Sequence, residues 1–181
     1  MTGLLGKMPW RMLGWGTAIL LLAAPFVAMR FTSEVNWSLG DFIFAGVLFA
    51  LIGGALELAV RASSNHSYRI AAGLALLGAL LVVWVDLAVG IVGSERNPAN
   101  LLFFGALLVG IAGSLMARFR AAGMALAMLA TAVTLWLAFV AAVFTPTDEP
   151  FVSHGVEFAG TSLLALIFLG SAAMFRKAAR Q

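Results

Sequence analysis

Six apolar segments, each close to the length that a helix needs to cross a bilayer, take up most of the chain. They cover residues 10–29, 41–60, 70–92, 100–117, 121–144 and 154–175. About 20 apolar residues span the hydrocarbon core of a membrane, and backbone groups in lipid must be hydrogen-bonded internally. We therefore predict an all-α polytopic membrane protein, with six transmembrane helices in a single domain over residues 1–181.

The composition agrees with lipid as the main solvent of this chain. Of its residues, 62% are hydrophobic and only 10% are charged, whereas a soluble domain carries about 25% charged residues. The chain has no cysteine, which excludes disulfides, thiolate metal ligands and cysteine nucleophiles. Its basic pI near 10.2 comes from charges scattered around the apolar segments. This distribution favours phospholipid head groups over nucleic acid as their partner.

The charges between the segments predict an orientation in the membrane. One set of connections and ends carries nine basic residues, and the other carries only Arg30 and Arg96. The nine are Lys7, Arg11, Arg61, Arg69, Arg118, Arg120, Arg176, Lys177 and Arg180. Basic connections remain on the cytoplasmic side, so both termini are expected in the cytoplasm. The acidic residues are distributed the other way, since only Glu57 lies on the inner side.

The six segments resemble three copies of one helical hairpin. Each odd segment begins with an arginine that is followed closely by glycine, and each even segment begins with a polar residue followed by phenylalanine and glycine. The polar starts are Asp41, Asn100 and Glu157. Repeats of two helices keep the same orientation, so we predict a parallel pseudo-threefold repeat about an axis along the membrane normal.

The polar starts also suggest helix capping. Ser38, Asn97 and His154 lie three residues before them. Serine and asparagine accept hydrogen bonds from the free N–H groups of a first turn, and an acid there favours the positive end of the helix. We therefore predict that Asp41, Asn100 and Glu157 stabilise the starts of their own helices.

Asp86 is an acidic residue with no counterpart in the other two copies of the hairpin. It lies six residues before the end of the third segment, about 9 Å below the outer boundary at 1.5 Å per residue. It shares a helix face with small residues such as Ala79 and Gly90, and small faces are where membrane helices approach closely. Asp86 should therefore point into the bundle.

The environment of Asp86 leaves two interpretations open. An ionised carboxylate at this depth costs on the order of 3 kcal/mol, so it should be paired, protonated or hydrated. The first interpretation is a structural ion pair with Arg96 or Arg30, in which the short loop that carries Glu95 keeps Arg96 within reach. The second is a site for a proton, a cation or a small polar ligand.

Two other pairs of polar residues are weaker site candidates. Glu57 and Arg61 are four residues apart and predict a salt bridge on one helix face. His154 and Glu157 are two candidate metal ligands, but a zinc site needs at least three protein ligands. Completing it would require residues such as Asp148 or Glu149, so we predict no metal and no cofactor.

Two rows of small residues predict close helix packing. Such rows pack helices inside one chain or join it to a second copy or another membrane protein. One row comprises Gly46, Ala50, Gly53 and Glu57, and the other comprises Ala106, Gly110, Gly113 and Ala117.

The stretch Gly93-Ser-Glu-Arg-Asn-Pro-Ala-Asn100 resembles a loop shared by small uncharacterised bacterial membrane proteins, Gly-Ser-Glu-x-Asn-Pro-Ala-Asn between two apolar helices. The resemblance covers the third and fourth helices. It implies a location in the bacterial inner membrane and carries no known activity.

These features are compatible with two main functions, an accessory role and transport. The chain contains no nucleotide-binding loop, nucleophile elbow or zinc-protease helix, and its outer loops are short, so we do not expect an enzyme. An intramembrane catalyst that uses Asp86 with Glu95 or Glu157 is the exception to consider. We expect an accessory or assembly protein that interacts with the bilayer and with other membrane proteins. The alternative is a small transporter or channel for a proton, cation or polar solute, because an acidic outer side concentrates cations.

Overall fold

The structure, a computed structural model, describes residues 10–145 and 153–181, and within these ranges the chain is helical without any β-strand. The α-helices are α1 (Trp10–Ala28), α2 (Leu39–Ala62), α3 (His66–Val89), α4 (Leu101–Met116), α5 (Ala121–Val143) and α6 (His154–Ala178). A 3₁₀ turn at Pro98–Asn100 leads into α4. All six segments are long and apolar enough to cross a membrane, which confirms the predicted all-α fold.

The helix bounds differ from the predicted ones mainly at α3. This helix begins four residues earlier than predicted, at His66, because the side chain of Asn65 accepts a hydrogen bond from the backbone N–H of Tyr68 at 3.1 Å and caps its start. It ends at Val89 instead of residue 92, because Gly90 has a φ of 77°. A positive φ is incompatible with helix and is adopted most easily by glycine.

The contacts divide the chain into two compact units, and the division falls within α2 after Glu57. The first unit contains α1 and most of α2, and the second contains α3 to α6. The single domain predicted from the sequence stays a prediction.

In the first unit, α1 and α2 are joined by large side chains. The ring of Trp15 covers Gly53 so closely that a Cβ on this glycine would lie 3.0 Å from the ring. Towards the other end of the pair, the rings of Phe26 and Phe42 meet edge to face, with centroids 6.5 Å apart. The small-residue row of α2 is therefore used, at Gly53, for packing against α1.

In the second unit, α5 packs against α4 and α6, and α6 also packs against α3. Small residues set these distances, since a Cβ added to Gly113 would lie 2.8 Å from the Cβ of Ala127. Between α6 and α3, the hydroxyl of Ser171 donates to the carbonyl of Ala71 at 2.8 Å. The small-residue row of α4 is thus a packing seam inside the unit. α3 packs mainly against α6 and much less against α4, its neighbour in sequence.

The turn between α4 and α5 is fixed from α3. Arg118 and Phe119 have φ values of 49° and 57°, the left-handed conformation that side chains disfavour. The hydroxyl of Tyr68 donates to the carbonyl of Phe119 at 2.8 Å. The Tyr68 ring also meets that of Phe175 of α6 edge to face, so one aromatic side chain joins this turn to α3 and α6.

Candidate functional site

The connection between α3 and α4, residues 90–100, is folded around the side chain of Asn100. The Oδ1 atom of Asn100 accepts hydrogen bonds from the backbone N–H groups of Ile91 and Val92, at 3.2 and 2.9 Å. Its Nδ2 atom donates to the carbonyl of Ser94 at 2.8 Å. Asn100 is only 3% exposed, so these bonds satisfy polar groups that water does not reach freely. We call the end of the second unit that carries this connection the loop end.

The prediction that Asn100 stabilises the start of its own helix is wrong. No side-chain capping bond is formed at Asn100, because its amide is directed back to the loop backbone. Asn97 makes the capping bond, as its position three residues before Asn100 predicts, since its Oδ1 atom accepts from the N–H of Ala99 at 3.0 Å. Pro98 follows Asn97 directly and begins the 3₁₀ turn that leads into α4, where its missing N–H leaves no donor unpaired.

Glu157 of α6 ties the loop to a second helix. Its Oε1 atom accepts the backbone N–H of Gly93 at 2.8 Å, and its Oε2 atom lies 3.0 Å from Nδ1 of His154. Glu157 is 7% exposed. Glu157 lies in the first turn of α6, as predicted, and its carboxylate also joins α6 to the loop, which the sequence did not predict.

Asp41 makes the predicted helix-start contacts in the first unit. Its Oδ2 atom accepts from the backbone N–H and the hydroxyl of Ser38, at 2.7 and 2.8 Å. The Ser38 hydroxyl oxygen in turn accepts the N–H of Asp41 at 3.3 Å. Such reciprocal bonds satisfy donors that a helix start leaves free.

No group of three metal-ligating side chains occurs within residues 10–145 and 153–181. His154 and Glu157 are close together, as their spacing predicts, and form a hydrogen-bonded pair at 3.0 Å. Asp148 and Glu149, the residues considered for completing such a site, lie outside the described residues.

Asp86 lies within the second unit, close to the loop end of α3. It is 5% exposed, and Val82, one turn earlier on the same face, is fully buried. The inward direction predicted for Asp86 is thus confirmed. Its Oδ1 atom is buried and has no hydrogen-bond partner among the described residues. A polar atom in this condition is costly to keep in a folded protein, so Asp86 is the principal candidate for a functional group.

The predicted ion pair between Asp86 and Arg96 is wrong. The Arg96 side chain is 87% exposed, and its Nε atom lies 3.7 Å from the carboxylate of Glu95. The backbone N–H of Arg96 is bonded to the hydroxyl of Ser94, within the loop that Asn100 holds. This loop conformation directs Arg96 away from the interior of the unit.

Thr161 of α6 is a second buried polar residue, and the sequence did not draw attention to it. It is 0% exposed, and its Oγ1 atom also has no hydrogen-bond partner among the described residues. Nothing in the sequence distinguishes it from the other threonines of the apolar segments, because only packing decides which hydroxyl is buried and how it is directed.

A cleft of about 380 Å³ opens between α3 and α6 below the loop. Its walls are formed by apolar residues and glycine, including Val85, Val89, Gly160 and Leu163, and Glu157 and Gly93 lie at its loop end. The cleft is therefore largely apolar, and the hydrogen-bonded residues Glu157 and Gly93 form part of its lining.

In the first unit, Glu57 is bound by two residues of α1. Arg11 donates from Nε and Nη2 to the two carboxylate oxygens, at 2.9 and 2.7 Å, and Trp15 donates from Nε1 at 2.8 Å. A bidentate arginine–carboxylate pair is stronger and more directional than a single hydrogen bond. The sequence suggested Arg61 as the partner, and that pairing stays a prediction.

The six apolar helices define the class of the molecule, which is an α-helical multi-pass membrane protein. Its second unit has a network of polar groups at the loop end and, one to two helical turns further into α3, the buried carboxyl of Asp86. Comparison with protein-family models, with curated proteins and with solved structures finds no match to this chain. The likeness of the loop to that of small bacterial membrane proteins therefore stays a resemblance in sequence.

Proposed function

We propose that the protein is a non-enzymatic accessory protein of the bacterial inner membrane, which binds another membrane protein through the loop between α3 and α4. The observation that carries this proposal is the fixed conformation of a loop that leaves charged side chains exposed. Asn100 and Glu157 bond the loop backbone from inside. The side chains of Glu95 and Arg96 remain 48% and 87% exposed.

A loop that is already ordered loses less conformational entropy when it binds, which favours affinity. Arginine is also among the residue types that contribute most at interfaces. The adjacent side chains of Glu95 and Arg96 are complementary to a partner surface that carries one basic and one acidic group. A protein without this arrangement would place a like charge opposite Glu95 or Arg96, which disfavours its binding.

The proposed location rests on the charge distribution and on the loop resemblance. Nine basic residues on one side against two on the other support an orientation with both termini in the cytoplasm. Reporter fusions after Arg61, Arg118 and Gln181 should all give cytoplasmic activity. A fusion at Gln181 that is active only outside the cytoplasm would refute the orientation.

Co-purification in mild detergent tests the accessory role. The wild-type chain should retain a stoichiometric membrane-protein partner, and the double variant E95A/R96A should lose it while its thermal unfolding is unchanged. The matched control is R30A, which removes the only other arginine proposed for the outer side. Loss of the partner in R30A alone, or its retention in E95A/R96A, would refute a role for the loop.

The second candidate function is transport or conduction of a proton or small cation, and a different observation favours it. Asp86 is buried without an ion-pair partner among the described residues, and an intramembrane acid of this kind is a candidate ion-pathway residue. Purified protein in liposomes should then carry a proton or sodium flux that D86N abolishes. Equal flux in wild type and D86N would refute this function.

A further inference from the structure

Two polar side chains on neighbouring helices are buried in the second unit and are left without hydrogen-bond partners among the described residues. The atoms without partners are Oδ1 of Asp86 on α3 and Oγ1 of Thr161 on α6. Their residues are 5% and 0% exposed. Buried polar groups in folded proteins nearly always have a partner, so each such group calls for an explanation.

The conformation of Thr161 differs from that of other threonines in these helices. Thr17, Thr131 and Thr134 each donate the hydroxyl to the carbonyl four residues earlier, at 2.8 to 2.9 Å. This bond is the usual way in which a helix accommodates a threonine hydroxyl in an apolar setting. The Thr161 hydroxyl has no such bond within its own helix, so both its proton and its lone pairs are available to another group.

The register of α3 against α6 places the two groups at a similar depth. The two helices run in opposite directions, and Gly78 of α3 packs against the ring of Phe168 of α6, which a Cβ on the glycine would approach to 3.0 Å. Asp86 lies eight residues from Gly78 towards the loop end, and Thr161 lies seven residues from Phe168 in the same direction. At 1.5 Å per residue, these steps are about 12 and about 10 Å.

Few charges lie near this level of the unit. α4 and α5 contain no titratable side chain. On α6, the carboxylate of Glu157 is engaged by Gly93 and His154. From the loop, Glu95 and Arg96 lie close to each other and are half or more exposed. Asp86 is therefore the one buried carboxyl of the second unit, among the described residues, that makes no hydrogen bond or ion pair to another side chain.

We propose that Asp86 and Thr161 form one buried site that binds a single monovalent cation, either a proton or a sodium ion. The carboxylate supplies the charge, and the hydroxyl oxygen supplies a second hard ligand of the kind that such cations prefer. A divalent cation would leave a net positive charge in an apolar interior, which is costly. The site uses the same carboxyl as the proposed transport function, but it requires only that the cation binds, not that it crosses the membrane. Binding can therefore be shown where flux is absent.

Thermal unfolding of the full chain in lipid nanodiscs, followed by tryptophan fluorescence, tests the site. Melts are recorded from pH 5.5 to 9, with choline chloride replaced by sodium chloride at constant ionic strength. The wild type should be least stable at pH 9 in choline. Stabilisation by sodium at pH 9 would identify sodium as the ion, and stabilisation by acid alone would identify the proton.

Variants then separate the two ligands of the site. D86N should lose the sodium response and the part of the acid response that belongs to Asp86. T161V should raise the half-stabilising sodium concentration by about tenfold or more, because the ion loses one of its two oxygen ligands, a loss comparable with one hydrogen bond to a charged group. If the ion is a proton, T161V should shift the midpoint of the acid response, because the hydroxyl hydrogen-bonds the two protonation states of Asp86 to different extents. T161S keeps the hydroxyl and should behave as the wild type. It therefore tests the role of the hydroxyl even if T161V fails to fold.

Matched controls use the same substitutions at residues with local partners. T134V removes a hydroxyl that is bonded within its own helix, and D41N changes an exposed acid of the first unit. Both should keep the wild-type ion response. A wild type that responds neither to sodium nor to acid, a D86N variant that keeps the full response, or a T161V variant that matches T134V would each overturn the proposal.

Discussion

Replacing Asn100 with alanine should destabilise the second unit more than any other asparagine-to-alanine change among the described residues. The substitution removes the acceptor of the N–H groups of Ile91 and Val92 and the donor to the carbonyl of Ser94. Asn100, Ile91 and Val92 are 3%, 7% and 5% exposed, so water does not readily replace these bonds. At about 1 kcal/mol for each bond, the expected loss in the free energy of unfolding is about 3 kcal/mol, and it is larger if the N–H groups stay unpaired.

Two other asparagines provide matched controls for N100A. Asn97 and Asn65 each cap a helical turn, through bonds to the N–H groups of Ala99 and Tyr68. Loss of such a cap costs about 1 kcal/mol. Equilibrium unfolding in mixed micelles, followed by tryptophan fluorescence, should therefore rank N100A well below N97A and N65A. If N100A falls within about 0.5 kcal/mol of N65A, the bonds of Asn100 do not hold the loop, and the argument for a preordered loop is refuted.

Three further substitutions test the packing in the same unfolding assay. G90A should lower the free energy of unfolding by more than about 2 kcal/mol, because Gly90 has a φ of 77° and a Cβ would lie 2.5 Å from the backbone of Ser94. G73A, whose Cβ would meet no atom within 4 Å, should be neutral or slightly stabilising. G113A should cost about 1 to 3 kcal/mol through its contact with Ala127, whereas G105A, which has no neighbour within 4 Å, should cost little. Equal effects of the two substitutions would contradict close packing of α4 against α5 at Gly113. In the first unit, a double-mutant cycle of R11M and E57Q should give a coupling of at least about 0.5 kcal/mol, and strict additivity would show that the pair of bonds from Arg11 to Glu57 contributes nothing.

The sequence alone determined the number of helices, their approximate bounds and the solvent around them. These properties depend on local hydropathy over about 20 residues, and lipid leaves the backbone no alternative to helix. The direction of Asp86 was also predictable, since a face with alanine and glycine identifies the side of a helix that packs. The α4 row with Gly110 and Gly113 was predictable for the same reason, and a Cβ on Gly110 would lie 2.6 Å from the hydroxyl of Thr131.

Only the tertiary structure decided which polar groups that are distant in the sequence meet. Glu157 reaches Gly93 across 64 residues of sequence, and Arg11 reaches Glu57 across 46. The sequence suggested partners three or four residues away because nearby spacing is all that a local pattern can measure. It also suggested Arg96 for Asp86 by the same logic of nearness along the chain. The loop instead folds around Asn100, because its buried N–H and carbonyl groups need hydrogen-bond partners. In this conformation the side chain of Arg96 is exposed. The burial of Thr161 depended likewise on how α6 packs, which hydropathy alone does not specify.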